Sequence, residues 1–517
     1  MEFLQNITPR EYQEKIFATC AEKNCLVVLP TGLGKTLIAL MLTIHRMKQF
    51  PTEKVLILAP TKPLAEQHLE SFKKNLPELF ADIQLFTGAV TAENRKKIWK
   101  TADIVFSTPQ CVANDLKNQL YNLNEVSLLV QDEAHRCVKN YDYNYVAKVY
   151  LNQAENTRLM GLTASPGSDQ GKIKEICKNL SIEEVELRTR DSPDVKEYLQ
   201  ELEFEKREVE LPKEFEKIKS TLKKLYDGYT DSLRLKGFLF GPDNKFSLIT
   251  LQKKLASQIN RNFKSPSSYY AMSICAQAIK LSHAMELLET QTLESFFSYL
   301  KDLFDQAAKA QSKGVIKLVA KEEFNFCYSF ASELLSKGKE HPKIQEVIDI
   351  IKEEKKKNPK LKTIIFTQFR ETANIVSRNL NKLPDSNTEV FVGQAKKKGV
   401  GLSQKEQKKI LDDFSEGKID NLCATCIAEE GLDIPEVNLV IFYEPVSSAI
   451  RSIQRRGRTA RLSKGKLIIL IAKATKDEYA YYASHSREKK MAKSIESIKQ
   501  ELKTKGKISF IKQKRLF

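Results

Sequence analysis

Pro30-Thr31-Gly32-Leu33-Gly34-Lys35-Thr36 follows the apolar run Cys25 to Leu29 and leads into the helix formers Leu37-Ile38-Ala39-Leu40. A strand that turns through glycines into a helix aims successive backbone N–H groups, and the positive end of the helix, at one point. That point suits phosphate oxygens. Pro30, Thr31, Gly32, Leu33 and Gly34 then form the cradle, Lys35 reaches the β- and γ-phosphates of ATP, and the Thr36 hydroxyl ligates Mg²⁺. Leu29 stands where the general G-x-x-x-x-G-K-[ST] pattern has its first glycine. Further on, Leu128-Leu129-Val130-Gln131 runs into Asp132-Glu133-Ala134-His135. Asp132 fits a second magnesium ligand, usually through water, and Glu133 fits the group that positions and polarises attacking water. One carboxylate does both jobs poorly, because metal binding lowers its basicity. Much later, Gln454-Arg455-Arg456-Gly457-Arg458-Thr459-Ala460-Arg461 offers Arg458 and Arg461 as arginine fingers, groups worth about 10³–10⁵ in rate.

Such groups need two sheets to hold them. Strand candidates lie at Cys25 to Leu29, Val55 to Ala59, Ile104 to Ser107, Leu128 to Gln131 and Leu159 to Leu162, and again at Thr363 to Phe366, Glu389 to Val392, Leu422 to Thr425, Leu439 to Tyr443 and Leu467 to Ile471. Continuous β-branched and leucine runs between helical stretches indicate parallel sheets buried on both faces. The expected fold is α/β, with two RecA-like lobes and an all-helical domain between them. The boundaries expected are 1–196 for the first lobe, 197–338 for the insert, 339–485 for the second lobe and 486–517 for a basic tail. Within the insert, Phe215, Ile218, Leu222, Leu225 and Tyr229 recur at helical spacing, and 271–304 runs without proline or glycine. Thr61, Lys62, Thr108, Gln368 and Thr425 sit at strand ends with types suited to a nucleic-acid phosphate backbone. Lys253, Lys254, Arg261 and Lys264 form a basic cluster in the insert, placed to hold a second duplex arm.

The chain has 84 Lys+Arg against 66 Asp+Glu, a net +18 that suits a polyanionic partner. No apolar run reaches membrane-spanning length and the first residues lack a signal-peptide pattern, so the expectation is an intracellular protein, cytoplasmic if prokaryotic. Nine scattered cysteines exclude a secreted disulfide framework, and the isolated pair Cys423 and Cys426 reads as buried strand packing rather than a metal site. From Ser486 on the chain is dense in lysine and reads as a solvated helix with a frayed end. Its last residues, Gln513 to Phe517, look like the first half of a sliding-clamp-binding peptide.

The ordered set of segments resembles superfamily 2 helicases. Phe391-Val392-Gly393-Gln394-Ala395, Gly401 to Gln407, Ala428-Glu429-Glu430-Gly431-Leu432-Asp433-Ile434-Pro435 and Tyr443-Glu444-Pro445-Val446 narrow the resemblance to the archaeal Hef helicases, relatives of Fanconi anaemia group M and, more distantly, of RIG-I and Dicer. The helicase form of the phosphate loop tolerates Leu29. The resemblance implies a thumb-like insert, ATP-driven 3′-to-5′ translocation and action on forked or branched DNA. It also implies that Arg10 and Gln13 recognise adenine, that Gly431 and Asp433 contact nucleotide, and that Gln454 links nucleotide to lobe closure. Many Hef proteins carry an E-R-K-x-x-x-D nuclease signature; Arg487-Glu488-Lys489-Lys490 does not match it, and a nuclease is expected from a partner chain. A duplex-RNA-stimulated ATPase and an ATP-switched binding scaffold remain open alternatives.

Overall fold

Short β-branched and leucine-rich runs build the centres of both lobes. In a computed structural model, residues 3–190, 192–198, 202–260, 265–393, 401–425, 435–446, 448 and 465–505 are described. The first sheet contains β1 (Cys25–Val28), β2 (Lys54–Leu58), β3 (Ile83–Phe86), β4 (Ile104–Ser107), β5 (Val126–Gln131), β6 (Leu159–Thr163) and β7 (Glu184–Leu187), all parallel, in the order β3-β4-β2-β5-β6-β1-β7. Every residue of β1, β2, β4, β5 and β6 is buried, as crossover helices on both faces require. Because β6 alone separates β5 from β1, the carboxyl ends of these three strands share one edge.

The second sheet is also parallel, in the order β10-β11-β9-β12-β13-β8. Its strands are β8 (Leu202–Val209), β9 (Thr363–Phe366), β10 (Thr388–Phe391), β11 (Asn421–Ala424), β12 (Leu439–Phe442) and β13 (Gly465–Ala472). Cys423 lies in β11, fully buried, where burial pushes its thiol well up. No helix among the described residues is long and apolar enough to cross a membrane.

Two expected boundaries need correction. The stretch assigned to the start of the insert contains β8, which pairs with β13 from Leu202↔Gly465 to Val209↔Ala472. Its sequence LEFEKREV alternates charge because it is an edge strand held by ion pairs: Lys466 lies 2.7 Å from Glu205 and 3.2 Å from Glu203. The helical part therefore begins at Lys213 and runs through six helices to Ser336. Its core includes Phe215, Ile218, Leu222, Leu281, Phe296 and Phe324.

The second correction concerns the tail. Lys476–Lys505 is one helix that crosses from the second lobe back to the first. Met491, Ile495, Ile498 and Leu502 recur at spacings of four, three and four, and bury in the first lobe's core with Ile173, Ile176 and Val185. Lys174 pairs with Glu501 at 2.6 Å beside them. Lysines Lys489, Lys490 and Lys503 remain exposed on the opposite side, which explains why the segment looked solvated from composition. Each large apolar side chain so buried contributes about 1.5–3 kcal/mol.

The insert is anchored to the second lobe by buried polar groups. Lys343, wholly buried, lies 2.5 Å from Asp477 and donates to the Thr290 carbonyl at 3.1 Å. Thr372 Oγ1 donates to Gln291 Oε1 at 2.8 Å, and His341 meets the Glu289 carbonyl at 3.2 Å. Burial drives the His341 imidazolium down to a pKa of about 3, so the ring is neutral.

Candidate nucleotide site and nucleic-acid track

The phosphate loop leaves β1 at Leu29 and enters the helix Lys35–Gln49 through Gly34, whose φ of +74° is a left-handed conformation that favours glycine. A Cβ at Gly34 would also lie 2.3 Å from Gln13 Nε2. Gln13 is buried and crosses the loop: its Nε2 donates to the Leu33 carbonyl at 3.1 Å, while its Oε1 accepts from the Arg10 N–H at 2.9 Å. The Tyr12 hydroxyl donates to the same Leu33 carbonyl at 2.8 Å. Arg10 itself lies over the Tyr198 ring at 4.9 Å. Gln13 thus sits against the phosphate loop, and Arg10 is tied to Gln13 through its own backbone N–H. Lys35 Nζ donates to the Leu29 carbonyl at 2.9 Å, folding across the cradle, and the Thr31 hydroxyl is buried without a hydrogen-bond partner.

At the same edge, β5 delivers Asp132 and Glu133. Asp132 Oδ2 lies 2.8 Å from His68 Nε2, and the other ring nitrogen of His68 is 3.3 Å from the Thr36 hydroxyl. One imidazole therefore joins both expected metal ligands. Burial pushes the Asp132 carboxyl up, but the His68 bond and charge and the Lys35 ammonium outweigh it and hold the group below the usual carboxylate range. Glu133 has φ +51°. Its Oε2 is buried 3.2 Å from His135 Nδ1, yet accepts no aligned hydrogen bond. His135 Nδ1 is also 3.4 Å from the Thr163 hydroxyl at the end of β6. From there the chain reaches Ser165, whose hydroxyl contacts Met491 Sδ of the C-terminal helix at 3.0 Å.

These residues fit Mg²⁺–ATP. A hydroxyl and a carboxylate converge within one side chain of each other, the hard oxygen donor set Mg²⁺ takes, and the buried Thr31 hydroxyl of the same loop has no hydrogen bond among the described residues.

His68 was not among the sequence candidates. It sits on the helix Lys62–Asn75, one helical turn and more beyond the strand-end residues Thr61 and Lys62, and only the packing of that helix on the loop reveals its role. Thr61 is the N-cap residue of that helix, and Lys62 pairs with Glu66 at 3.4 Å. Thr108 occupies the N-cap position of the helix Pro109–Lys117 without a side-chain capping bond and is half-buried. In the second lobe Gln368 is exposed after β9, and Thr425 is buried after β11, its N–H donating to the Phe391 carbonyl at 3.2 Å. Lys253 and Lys254 are exposed on the helix Lys245–Asn260. Gly431, Asp433, Gln454, Arg458 and Arg461, as well as Arg261 and Lys264, lie outside the described residues.

Two family models match the lobes: the DEAD/DEAH box helicase over residues 10–173 and the helicase conserved C-terminal domain over 342–463. A helical-bundle model of the ATP-dependent RNA helicase type matches 241–331. The crystal structure of the Pyrococcus furiosus Hef helicase domain matches with a TM-score of 0.72 and 41% identity, covering 92% of this chain and 98% of that one. The chain belongs to the Hef family of superfamily 2 helicases. A Methanocaldococcus jannaschii protein, whose provisional name is that of an ATP-dependent RNA helicase, is 38% identical over 96% of this chain and 61% of its own. The mouse Fanconi anemia group M protein homolog is 32% identical over 96% of this chain but only 26% of its own. The chain thus spans less than two thirds of either relative. The matched helicase families imply ATP use.

Proposed function

We propose that this chain is an ATP-hydrolysing DNA helicase or translocase that moves 3′ to 5′ and unwinds or remodels forked and branched DNA in replication-fork repair. The observation that carries the reading is the convergence of Lys35, Thr36, Asp132 and Glu133 in a fold matching the Hef helicase domain. Bound Mg²⁺–ATP supplies the phosphoanhydride to be cleaved and charge neutralisation at its β- and γ-oxygens. Thr36 and Asp132 hold the metal, Lys35 turns from the Leu29 carbonyl to the terminal phosphates, and Glu133 orients water and accepts its proton. Gln13 and Arg10 read the base. From the second lobe, Arg458 and Arg461 stabilise the transition state, Gln454 transmits closure, and Gly431 and Asp433 contact the nucleotide. Thr61, Lys62 and Thr108 in one lobe and Gln368 and Thr425 in the other grip one DNA strand. The insert cluster around Lys253 and Lys254 holds a second arm.

The test is turnover of ATP with forked DNA, linear duplex DNA and duplex RNA. Fork DNA should stimulate most. Stimulation by duplex RNA alone would favour the second reading, a duplex-RNA-driven ATPase, which the names of the M. jannaschii relative and of the helical-bundle family support. Arg458→Ala and Arg461→Ala should cut turnover strongly and leave nucleotide-free DNA binding intact; the opposite pattern moves both to the DNA track. A separate nuclease and a sliding clamp are proposed partners, the clamp through Gln513 to Phe517. Titration of that peptide against the clamp decides the latter.

A further inference from the structure

At one end of the helical insert, the helix Lys213–Leu235 gives way to the loop Lys236-Gly237-Phe238-Leu239-Phe240-Gly241-Pro242 before the helix Lys245–Asn260 begins. Leu239 turns inward and is buried, while Phe240 is 80% exposed and Phe246, on the first turn of the next helix, is 79% exposed. Leu235 beside them is 88% exposed. Phe240 and Phe246 flank a groove of about 260 Å³ whose floor is Phe238, Leu239 and Leu251 and whose rim carries Lys254. That volume falls just short of the range of about 300–1,000 Å³ that holds drug-sized ligands, and admits one flat heterocycle. Neither exposed phenylalanine has an aromatic partner among the described residues.

Apolar rings left in water at one spot mark a contact surface. Charge says which kind. The groove lining holds no carboxylate, and the nearest one on the loop, Asp243, is paired with Arg234 at 3.0 Å. Lys254 on its rim is exposed, as are Lys253, the next residue of the same helix, and Lys236 at the start of the loop, which lies over the Tyr270 ring at 4.1 Å. Exposed aromatic rings bordered by the Lys254 ammonium match a ligand that is flat and apolar in its centre and anionic at its edge. An unpaired nucleotide has that form, and stacking on aromatic side chains is how proteins hold single-stranded bases without reading sequence. An apolar protein partner would find the ring faces but leave the lysine rim unmatched.

We propose that this groove takes an unpaired base at the branch point of the DNA, stacked on Phe246 and Phe240, with its neighbouring phosphate on Lys254. The inference rests on the reading of the chain as a branched-DNA motor, and assigns the insert the task of holding the strand just separated.

Two full-length variants test it without nucleotide present. Phe246→Trp places an indole in the groove, and the chain's one native tryptophan, Trp99, is buried against Tyr121 at a ring separation of 4.1 Å, so a new exposed emission reports on the groove. Forked DNA with unpaired nucleotides at the branch should quench that emission; the same fork with abasic residues at those positions, and linear duplex, should not. The paired change Phe240→Ala/Phe246→Ala should weaken binding of the first fork at least about fivefold and leave binding of the abasic fork unchanged. Equal affinity of the double variant and the parent for the unpaired fork overturns the proposal, as does quenching by the abasic fork. A parent that self-associates where the double variant is monomeric also overturns it, in favour of a second copy in the groove. If no DNA binds either protein, the motor reading beneath it has failed; if DNA binds both equally, only the groove has.

Discussion

The nucleotide edge of the first lobe and the junction between insert and second lobe both bury charge, but they do so differently. At the junction most partners are fixed: Lys343 holds Asp477 and the Thr290 carbonyl, Thr372 holds Gln291, and neutral His341 meets the Glu289 carbonyl, although the Tyr443 hydroxyl beside Lys343 is buried without a hydrogen bond among the described residues. At the nucleotide edge, oxygens are left over. Thr31 Oγ1 and Glu133 Oε2 are buried without hydrogen bonds, and Lys35 satisfies itself on its own loop. A buried polar group without a partner costs free energy, so it persists where a ligand completes it. The nucleotide edge differs in that its leftover hydroxyl, that of Thr31, belongs to the phosphate loop itself. The joint fixes the insert to the second lobe.

The difference is sharpest for Glu133→Gln. Turnover should fall about 10²–10⁴-fold while ATP binding persists, because an amide keeps the shape and loses the proton acceptor. Lys35→Ala should instead lose ATP binding along with turnover. Turnover by Glu133→Gln near the parent value would remove Glu133 from its role and make its unsatisfied oxygen a mere packing defect.

Lys343→Met tests the other side. Leaving Asp477 buried and alone should cost about 3–5 kcal/mol in denaturant unfolding, and adding Asp477→Leu should restore much of it. ATP affinity of the folded single variant should be unchanged. A loss below about 1 kcal/mol would mean the joint is wetter than its burial implies.

Ile495→Ala, in the helix that crosses between lobes, should cost about 2–4 kcal/mol by opening the first lobe's core. A change near zero would return the segment to a solvated tail.

Acid should act on the insert through Glu286. Burial pushes the Glu286 carboxyl up, but the His283 ring and the Lys245 ammonium at 2.8 Å outweigh it and hold the pKa at about 2 against an ordinary 4.5. Its folded value lies below its unfolded one, so the stabilisation is complete above about pH 4.5 and is lost as pH falls toward 2. Glu286→Gln should therefore flatten the acid limb by on the order of 2 kcal/mol, read as unfolding at about pH 3 against about pH 7. Unchanged slopes would take Glu286 out of the account.

The smallest expected effect is that of His68→Ala. Without the ring that orients Asp132 and Thr36, the Mg²⁺ needed for half-maximal turnover should rise about tenfold. No change would mean that His68 holds these side chains only when the metal is away.

Much of this was legible in sequence. All ten expected strands occur within two residues of their places; all but the edge strand β10, whose Glu389 is exposed, are almost wholly buried, and a buried parallel strand must be apolar and so announces itself locally. The helix at 213–235 followed from the spacing of Phe215, Ile218, Leu222 and Leu225 for the same kind of reason. The phosphate loop and the Asp132-Glu133 pair were readable because backbone turn and strand end are contiguous in the chain. What escaped was held by partners far away. Strands β3, β7 and β8 lie at sheet edges: β3 and β8 are partly exposed and so have no reason to be apolar, β7 buries Glu184 and Glu186, and β8 joins its sheet only through β13, more than two hundred residues later. The stripe Met491-Ile495-Ile498-Leu502 was hidden by the lysines between its members, since one face of a helix decides docking and composition averages over all faces. His68 became part of the site only when its helix packed beside the loop. The sequence alone determined which groups could do the chemistry and the strands that carry them; the tertiary structure decided which distant side chains hold those groups, because hydrogen bonds and burial depend on proximity in space, and chain order does not encode it.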